Sequence, residues 1–240
     1  MSERIAKFIA RSGVCSRRAA EELVLQKRVT INGETVESPA FNVEGTEKIL
    51  LDGEKLPTIE TTRLWIYYKS VGLVTTHKDN QNRPTVFESL PPGMPRVISV
   101  GRLDLNSEGL LLLTNNGELS RKLELPENGW SRRYKVKVHG FLDKKKLASL
   151  ADGVTVEGVN YGPVKAEIES EQGTNSWLTI TLSEGKNREI RKLMKSIGLD
   201  VARLIRLSYG PFQLGSLKKG EVKEIPGKVL KEQLGSKFAL

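Results

Sequence analysis

One aspartate stands where a charged side chain is unexpected. Asp104 lies in the stretch GRLDLNSEGLLLL, residues 101 to 113, a few positions before an uninterrupted run of leucines. Such a run predicts a buried strand, and an ionised carboxylate at the edge of a core is costly unless a cation pairs with it. The pattern leaves three interpretations of Asp104: a turn residue, a metal ligand or a reactive group.

The spacing argues against a calcium ligand. Asp104, Asn106 and Glu108 alternate as the first ligands of an EF-hand loop do, with Gly109 at the turn. The twelfth loop position is Asn115, however, where calcium requires a bidentate glutamate. The single cysteine and the two histidines, which stand far apart in the sequence, do not supply a zinc site of the usual kind either. We expect no metal.

A structural turn is the plain alternative for this residue. Aspartate often turns or caps a chain after a strand, and Gly101 marks the edge of a loop. A reactive Asp104 would instead need a cation, and Arg102 is too near in sequence to be its obvious partner. The cation should therefore come from another part of the chain.

The stretch EGKNREIRKLMKSIG, residues 184 to 198, is the best source of that cation. Its apolar residues recur at the spacing of one helical face: Ile190, Leu193, Met194 and Ile197. Arg191 directly flanks this face, so it is best placed to turn inward toward a carboxylate. Lys186 and Arg188 precede it and could grip a phosphate backbone. An ordinary solvated basic face is the alternative.

A second candidate lies in SRRYKVKVHG, residues 131 to 140, which predicts a strand. Tyr134 shares one face of this strand with two valines, while the other face carries basic residues. A tyrosine on an apolar face is more often plain core. Beside phosphate-binding charges, however, an aromatic ring can stack on a base.

The composition points to an anionic partner. The chain has 240 residues, with 38 Lys and Arg against 29 Asp and Glu, so its formal net charge is +9. This charge favours polyanions, among which nucleic acid is the commonest, although ribosomal or membrane-surface association would give the same signal. No apolar stretch is long enough to span a bilayer, no apolar signal-peptide core begins the chain, and the lone Cys15 suits a reducing compartment. We therefore expect a cytoplasmic protein without a membrane partner.

The elements that must position these residues fall into two segments. We place the boundary near TIETTR, residues 58 to 63, which gives domains of residues 1 to 60 and 61 to 240. The first carries 9 basic and 10 acidic residues and the second 29 and 19, so most of the excess charge lies in the second. There the strand-like stretches LWIYYK, RRYKVKVHG and SWLTITLSEG outnumber the helical LDKKKLASLADG and NREIRKLMKSIG. This pattern predicts an α+β domain on a mostly antiparallel sheet.

The first segment predicts two short helices followed by a hairpin. RIAKFIARSG has helical apolar spacing, and Ser16 is a good N-cap for the helix in SRRAAEELVLQ. RVTING indicates a strand that leads into a turn at Asn32 and Gly33. Arg17 and Arg18 stand at a helix N-terminus, which already carries partial positive charge. A bound phosphate would resolve that conflict, and a solvated pair of arginines is the alternative.

The stretch SRRAAEELVLQKRVTINGETV resembles the small RNA-binding domain first described in ribosomal protein S-four. The resemblance covers roughly residues 3 to 55 and implies that this segment binds RNA. That pattern usually has glycine where Lys27 stands, which closes the helix in a left-handed conformation. Either Lys27 adopts this conformation or the helix ends differently.

Four motifs of the second segment resemble, in the same order, those of the RsuA/RluB family of ribosomal RNA pseudouridine synthases. They span about residues 64 to 226 and read GRLDLNSEGLLLLTNNGEL, RRYKVKV, EGKNREIRKLM and VARLIRLSYGPFQL. The resemblance implies an antiparallel-sheet core with an RNA-binding cleft. It also implies five roles: Asp104 as the catalytic aspartate, Tyr134 stacked on the target base, Arg191 paired with Asp104, Leu204 packed beneath the site, and Arg102 opening the RNA around a flipped uridine.

The implied reaction converts a specific uridine, expected in large-subunit (23S) ribosomal RNA, to pseudouridine. No electrons or phosphoryl groups leave, so we expect no cofactor. The partner would be ribosomal RNA or an assembling ribosomal subunit, and the enzyme a monomer. Ser107 and Asn116 depart from the family's usual threonine and aspartate, which leaves loop details open. The alternatives are a small-subunit rRNA synthase, a non-catalytic RNA-binding or assembly factor, and a hydrolase with Asp104 as nucleophile.

Overall fold

The computed structural model describes residues 2 to 235, which form two compact units. The first unit comprises the chain up to Arg63 together with Gly93–Ile98 and Asn115–Gly117. The second comprises Leu64–Pro92, Ser99–Thr114 and the chain from Glu118 onward. In the described range, no helix combines the length and apolar character that crossing a membrane requires.

The described part of the first unit contains two helices and six short strands. The helices are α1 (Ile5–Arg11) and α2 (Arg17–Leu25). The strands are β1 (Glu3–Arg4), β2 (Val29–Ile31), β3 (Glu34–Thr35), β4 (Asn42–Val43), β5 (Ile49–Leu51) and β6 (Glu54–Lys55). Four of them form an antiparallel sheet in the order β3-β2-β5-β6, and β1 pairs with β4. Apolar residues of both helices and of the sheet, among them Ile9, Val24 and Val29, form its core.

The local signals predicted for this unit are confirmed. Ser16 caps α2, because its Oγ accepts a hydrogen bond from the Ala19 backbone N–H at 3.1 Å. Asn32 and Gly33 have φ values of 52° and 95°, as a type I′ hairpin turn requires. Lys27 has a φ of 61°, so the chain turns left-handed after α2 although the usual glycine is absent. A side chain in this conformation costs roughly 1–2 kcal/mol.

The second unit is built on a nine-stranded sheet. The described part of this unit has eleven strands, of which β11 and β12 lie outside the nine-stranded sheet: β7 (Leu64–Lys69), β8 (Ile98–Val100), β9 (Glu108–Thr114), β10 (Arg132–His139), β11 (Val154–Val156), β12 (Val159–Tyr161), β13 (Lys165–Gln172), β14 (Asn175–Leu182), β15 (Asp200–Tyr209), β16 (Phe212–Gln213) and β17 (Val222–Glu224). Its helices are α3 (Gly117–Glu124), α4 (Lys144–Ser149), α5 (Glu189–Ser196) and α6 (Gly227–Leu234).

The sheet order confirms the predicted fold class. The main path runs β13-β14-β10-β15-β9-β7-β17, with β16 on β15 and β8 on β9, while β11 and β12 form a separate hairpin. The pairs along the main path are antiparallel except that of β9 with β15, which is parallel. The unit is therefore an α+β domain on a mostly antiparallel sheet.

The leucine run forms β9, an interior strand of the sheet. Its four leucines, residues 110 to 113, are fully buried, as predicted. Leu110 and Leu112 pack in one cluster with apolar residues of α3 and α6. Because alternate side chains of a strand point to opposite faces, Leu111 and Leu113 cover the other side of the sheet. A strand buried on both faces carries an apolar run instead of an alternating pattern.

Gly109 lets β9 and β15 approach closely. A Cβ at this residue would lie 2.4 Å from the backbone oxygen of Arg206, and its φ is +104°. Gly109→Ala is therefore expected to lower the free energy of unfolding by about 3 kcal/mol, because it adds overpacking to backbone strain. Denaturant unfolding measures the change, and unaltered stability would contradict the close approach. Gly117→Ala is the control and should cost less than about 0.5 kcal/mol, since its Cβ would meet only Ile98 at 3.7 Å.

Candidate active site

Asp104 lies in the loop between β8 and β9, in the lining of a cavity of about 450 Å³. Its side chain is 34% exposed, so the carboxylate is half-buried. The cavity brings together six residues that the sequence singled out: Arg102, Asp104, Tyr134, Lys186, Arg188 and Leu204.

A buried lysine holds the loop that carries Asp104. Lys69, the last residue of β7, is fully buried. Its Nζ donates to the backbone oxygens of Ser70 (3.1 Å), Asp104 (3.0 Å) and Ser107 (2.8 Å). Burial lowers the pKa of Lys69 to about 8, and the negative charge of Asp104 opposes this shift. The three bonds fix the backbone at Asp104 and on its C-terminal side.

The pKa of Lys69 predicts a stability that rises with pH. Its folded value of about 8 lies below the usual 10.5, so the unfolded chain binds more protons between these two values. This residue therefore increases the free energy of unfolding as the pH rises through that window. Other groups titrate in this window too. Their contributions to the free energy of unfolding cancel when wild type is compared with Lys69→Met by denaturant unfolding.

The stability of wild type relative to Lys69→Met is expected to increase from about pH 8 to 10.5. Lys165→Met is the control, because Lys165 is an exposed residue paired with Glu167, and its difference from wild type should show no such trend. A difference between wild type and Lys69→Met that stays constant with pH would show that Lys69 titrates normally.

The ion pair of Asp104 corrects one expectation. Nη1 of Arg188 lies 3.7 Å from Oδ2 of Asp104, so the partner is Arg188 and not the expected Arg191. Arg191 instead donates to the backbone oxygens of Asn106 (2.7 Å) and Val201 (2.9 Å). The physical reason is position. Arg191 is half-buried within α5, where backbone carbonyl groups accept from its Nη1 and Nη2. Arg188 precedes the helix at a φ of 50°, and its side chain is 48% exposed.

Arg191 still acts on the same loop. Burial lowers the pKa of its guanidinium, the positive charge of Arg188 adds to the lowering, and the negative charge of Asp104 opposes it. Its bond to the oxygen of Asn106, two residues after Asp104, ties α5 to this loop. The geometry makes Arg191 a support of the loop backbone.

Tyr134 and Leu204 line the cavity from neighbouring strands. Tyr134 of β10 lies opposite Arg206 of β15, and Leu204 lies opposite Val136. Tyr134 is 8% exposed and Leu204 is 7% exposed. The ring of Tyr134 thus belongs to the apolar face of its strand, as predicted, and offers an aromatic surface to a planar group in the cavity.

The basic residues predicted to bind RNA divide between the two units. Arg102, Lys186 and Arg188 are exposed residues of the cavity lining. Nζ of Lys186 donates to Oε2 of Glu184 at 2.7 Å. The remaining pair, Arg17 and Arg18, belongs to the first unit and is exposed at the start of α2, where Arg17 makes an ion pair of 3.3 Å with Glu21.

The polar residues in or beside the cavity that the sequence did not single out include Lys69, Arg132, Glu189 and Arg206. Arg132 stands two residues before Tyr134, so strand alternation alone could have placed it on the same face. Its guanidinium donates to Oη of Tyr209 at 2.9 Å and to three backbone oxygens. The burial of Lys69, Glu189 and Arg206 depends on tertiary packing and gives no local signal.

Three polar atoms of the lining are buried without a hydrogen-bond partner among the described residues: Ser107 Oγ, Glu189 Oε1 and Arg206 Nη2. Burial also raises the pKa of Glu189. A buried polar group without a partner costs about 1–3 kcal/mol and calls for an explanation.

The cavity therefore combines a half-buried carboxylate, an aromatic ring and exposed cations. Between Ser2 and Gly235, no group of three or more His, Cys, Asp or Glu side chains is placed to hold a metal ion. The arrangement suits nucleophilic attack or proton transfer on a planar substrate that carries phosphates.

Comparison with known proteins gives consistent results for both units. Residues 63–196 match the family model described as RNA pseudouridylate synthase, and residues 3–49 match that of the S4 domain. A Rickettsia typhi protein named uncharacterized RNA pseudouridine synthase is 47% identical over 98% of this chain and 96% of its own. The ribosomal large subunit pseudouridine synthase B of Yersinia pestis is 41% identical over 89% of this chain and 69% of its own. A crystal structure of pseudouridylate synthase has a TM-score of 0.68 at 28% identity, covering 97% of this chain and 99% of its own.

Proposed function

Because the chain belongs to the RNA pseudouridylate synthase family and carries an S4 domain, we propose that it isomerises a specific uridine of 23S ribosomal RNA to pseudouridine. The two family matches and the similar proteins confirm both resemblances found in the sequence. The protein is therefore an RNA pseudouridine synthase. The large-subunit target is supported by the 41% identity to the ribosomal large subunit enzyme of Yersinia pestis.

The observation that carries the catalytic proposal is the placement of Asp104 and Tyr134 in one cavity. The reaction breaks the N1–C1′ bond, turns the base and joins C5 to C1′, while C5 loses its proton and N1 gains one. Asp104 serves as the carboxylate that attacks C1′ or removes a sugar proton. Arg188 stabilises its negative charge from 3.7 Å. Lys69 binds the backbone oxygen of Asp104 itself, and Arg191 binds that of Asn106, two residues later. The isomerisation changes no oxidation state, so it requires no redox cofactor.

Tyr134 stacks on the flipped uracil, and Leu204 packs beneath it. Flipping a base out of its stack costs a few kcal/mol. Stacking on an aromatic ring stabilises the flipped state by about 1–3 kcal/mol and offsets part of that cost. The low exposure of both residues supports this role, because their positions are fixed by neighbouring strands before RNA binds.

The exposed cations contact the RNA backbone. Arg102, Lys186 and Arg188 bind phosphates around the flipped uridine, and Arg102 helps to open the RNA there. In the domain of residues 1 to 60, Arg17 and Arg18 bind phosphate at the start of α2, while residues 61 to 240 carry out catalysis. The partner is ribosomal RNA or an assembling subunit, which places the enzyme in the cytoplasm, and it acts as a monomer.

Mapping pseudouridine in unmodified ribosomal RNA tests the target. Wild-type protein is incubated with 23S and 16S transcripts, and pseudouridine is located by chemical probing. We expect modification at a specific uridine of 23S RNA, and none in 16S RNA. Modification of 16S RNA alone would replace the large-subunit proposal with the small-subunit alternative.

A further inference from the structure

We propose that Glu189 is a positioning residue, which holds the turn from which Arg188 reaches Asp104. Glu189 is the first residue of α5, belongs to the cavity lining and is 5% exposed. It would act through Arg188 and not by touching the RNA. The inference rests on the proposed synthesis of pseudouridine and adds to it a residue that sets the geometry of the Asp104 ion pair.

Two hydrogen bonds between Glu189 and Lys186 close the turn that precedes α5. Oε2 of Glu189 accepts the backbone N–H of Lys186 at 2.8 Å. In return, the backbone N–H of Glu189 donates to the backbone oxygen of Lys186 at 3.2 Å. The first bond is the one that a glutamate makes in a capping box, to the residue three positions earlier. Asn187 and Arg188 therefore lie in a loop whose two ends are tied together.

Arg188 has a backbone conformation that its surroundings must hold. Its φ is 50° and its ψ is 31°, in the left-handed region that side chains other than glycine rarely adopt. Such a conformation persists where neighbouring contacts constrain it, and the bonds between Glu189 and Lys186 supply this constraint. The left-handed backbone also sets the direction in which the Arg188 side chain leaves the loop. In that direction, its Nη1 lies 3.7 Å from Oδ2 of Asp104.

Arg132 holds the other end of the segment of residues 183 to 189. Its Nη1 donates to the backbone oxygens of Ser183 at 2.6 Å and of Glu184 at 3.1 Å. The segment is thus anchored at both ends, by Arg132 and by Glu189. Loss of the Glu189 carboxylate would release only the end that lies nearer α5.

A direct chemical role is the alternative for Glu189, because burial raises the pKa of this cavity residue. Such a role requires that the carboxyl group reach the substrate. Its Oε1 is buried, however, and its Oε2 already accepts from Lys186. These contacts favour positioning over proton transfer. Glutamine separates the two roles, since its amide oxygen can accept the same bond but cannot take up a proton as a carboxylate does.

Replacing the acceptor tests the proposal. Glu189→Met keeps the length of the side chain but removes the oxygen that binds Lys186. The single-turnover rate should fall by roughly threefold to fivefold, the loss expected when the ion pair of Arg188 is removed. Glu189→Gln keeps an oxygen for Lys186 and should stay within about 1.5-fold of wild type. Both rates are measured at the uridine that wild type modifies, in 23S or 16S RNA.

A double-mutant cycle shows whether Glu189 acts through Arg188. In protein that already carries Arg188→Met, adding Glu189→Met should lower the rate by less than about 1.5-fold. If circular dichroism shows that Glu189→Met is not folded, Glu189→Ala takes its place, because it lacks the acceptor too. Glu167→Met is the control in both backgrounds and should leave the rate unchanged, because Glu167 is an exposed residue of β13 that pairs with Lys165.

Crystal structures of wild type and of both variants provide a reading that needs no activity. The distance between Nη1 of Arg188 and Oδ2 of Asp104 should stay near 3.7 Å in Glu189→Gln. In Glu189→Met it should exceed about 4 Å, the limit of an ion pair. If wild type modified neither ribosomal RNA, the proposed function would fail, and this distance would still decide the inference.

Three results would overturn the inference. The first is a wild-type rate, or an unchanged ion-pair distance, in Glu189→Met. The second is a rate in Glu189→Gln as low as that in Glu189→Met, which would show that the carboxyl group itself takes part in the reaction. The third is an equal loss from Glu189→Met with and without Arg188, because Glu189 would then act on another part of the site.

Discussion

Asp104→Asn is expected to abolish pseudouridine formation, with kcat/KM falling on the order of 10⁴-fold or more. The amide can neither attack C1′ nor take a sugar proton. Asparagine has the size of aspartate and keeps the backbone oxygen that Lys69 binds at 3.0 Å, so the loop should hold its shape. Single-turnover assays with chemical mapping of pseudouridine measure the loss. RNA affinity should change by less than about fivefold, because the lost ion pair is partly exposed.

Asp200→Asn is the matched control for this substitution. Asp200 is an exposed aspartate at the start of β15 and lies outside the cavity lining. Its substitution should leave the rate at the wild-type value. If Asp104→Asn retained full activity, the catalytic carboxylate would have to be sought elsewhere in the cavity, although membership of the family would stand.

Arg191→Met is expected to lower kcat by roughly 10²-fold, more than Arg188→Met. Arg191 holds the carbonyl of Asn106 at 2.7 Å, and its removal frees the loop that positions Asp104. A small displacement of a reacting group can cost about 10²-fold in rate. Arg188 pairs with Asp104 at 3.7 Å from a side chain that is 48% exposed, and such pairs contribute up to about 1 kcal/mol, or roughly fivefold.

Both arginine variants are compared in one single-turnover assay. The comparison shows whether the rate depends more on the backbone bond of Arg191 or on the ion pair between Arg188 and Asp104. Lys192→Met serves as the control, because Lys192 neighbours Arg191 on α5 but does not line the cavity. If Arg188→Met lowered kcat more than Arg191→Met, the ion pair with Asp104 would be more important for catalysis than the backbone bond of Arg191.

The sequence predicted the elements whose periodicity is local. The alternation of Tyr134, Val136 and Val138 gave β10, the Ser16 cap gave α2, and the leucine run gave the strand that is buried on both faces. Helices α3 and α6 were not identified, because their apolar residues are few and become meaningful only when packed against β9.

The candidate site was predicted in its residue types but not in all its contacts. A helix pattern shows which side chains flank the buried face, and it correctly brought α5 to Asp104. It cannot show that Arg191 donates to the backbone oxygens of Val201 and Asn106 and not to the carboxylate of Asp104. Lys69 escaped notice for a related reason: its three acceptors are backbone oxygens, one beside it and two more than thirty residues away.

The parallel pairing of β9 with β15 has a consequence for synthesis on the ribosome. β7 is available to β9 at once, but β15 is translated roughly 100 residues after β9. At about 5–20 residues per second, Glu108 and Gly109, the residues of β9 that pair with β15, wait for about 5–20 s without this partner. Because β15 also supplies Leu204 to the cavity lining, the nascent enzyme should become active only after translation has passed this strand.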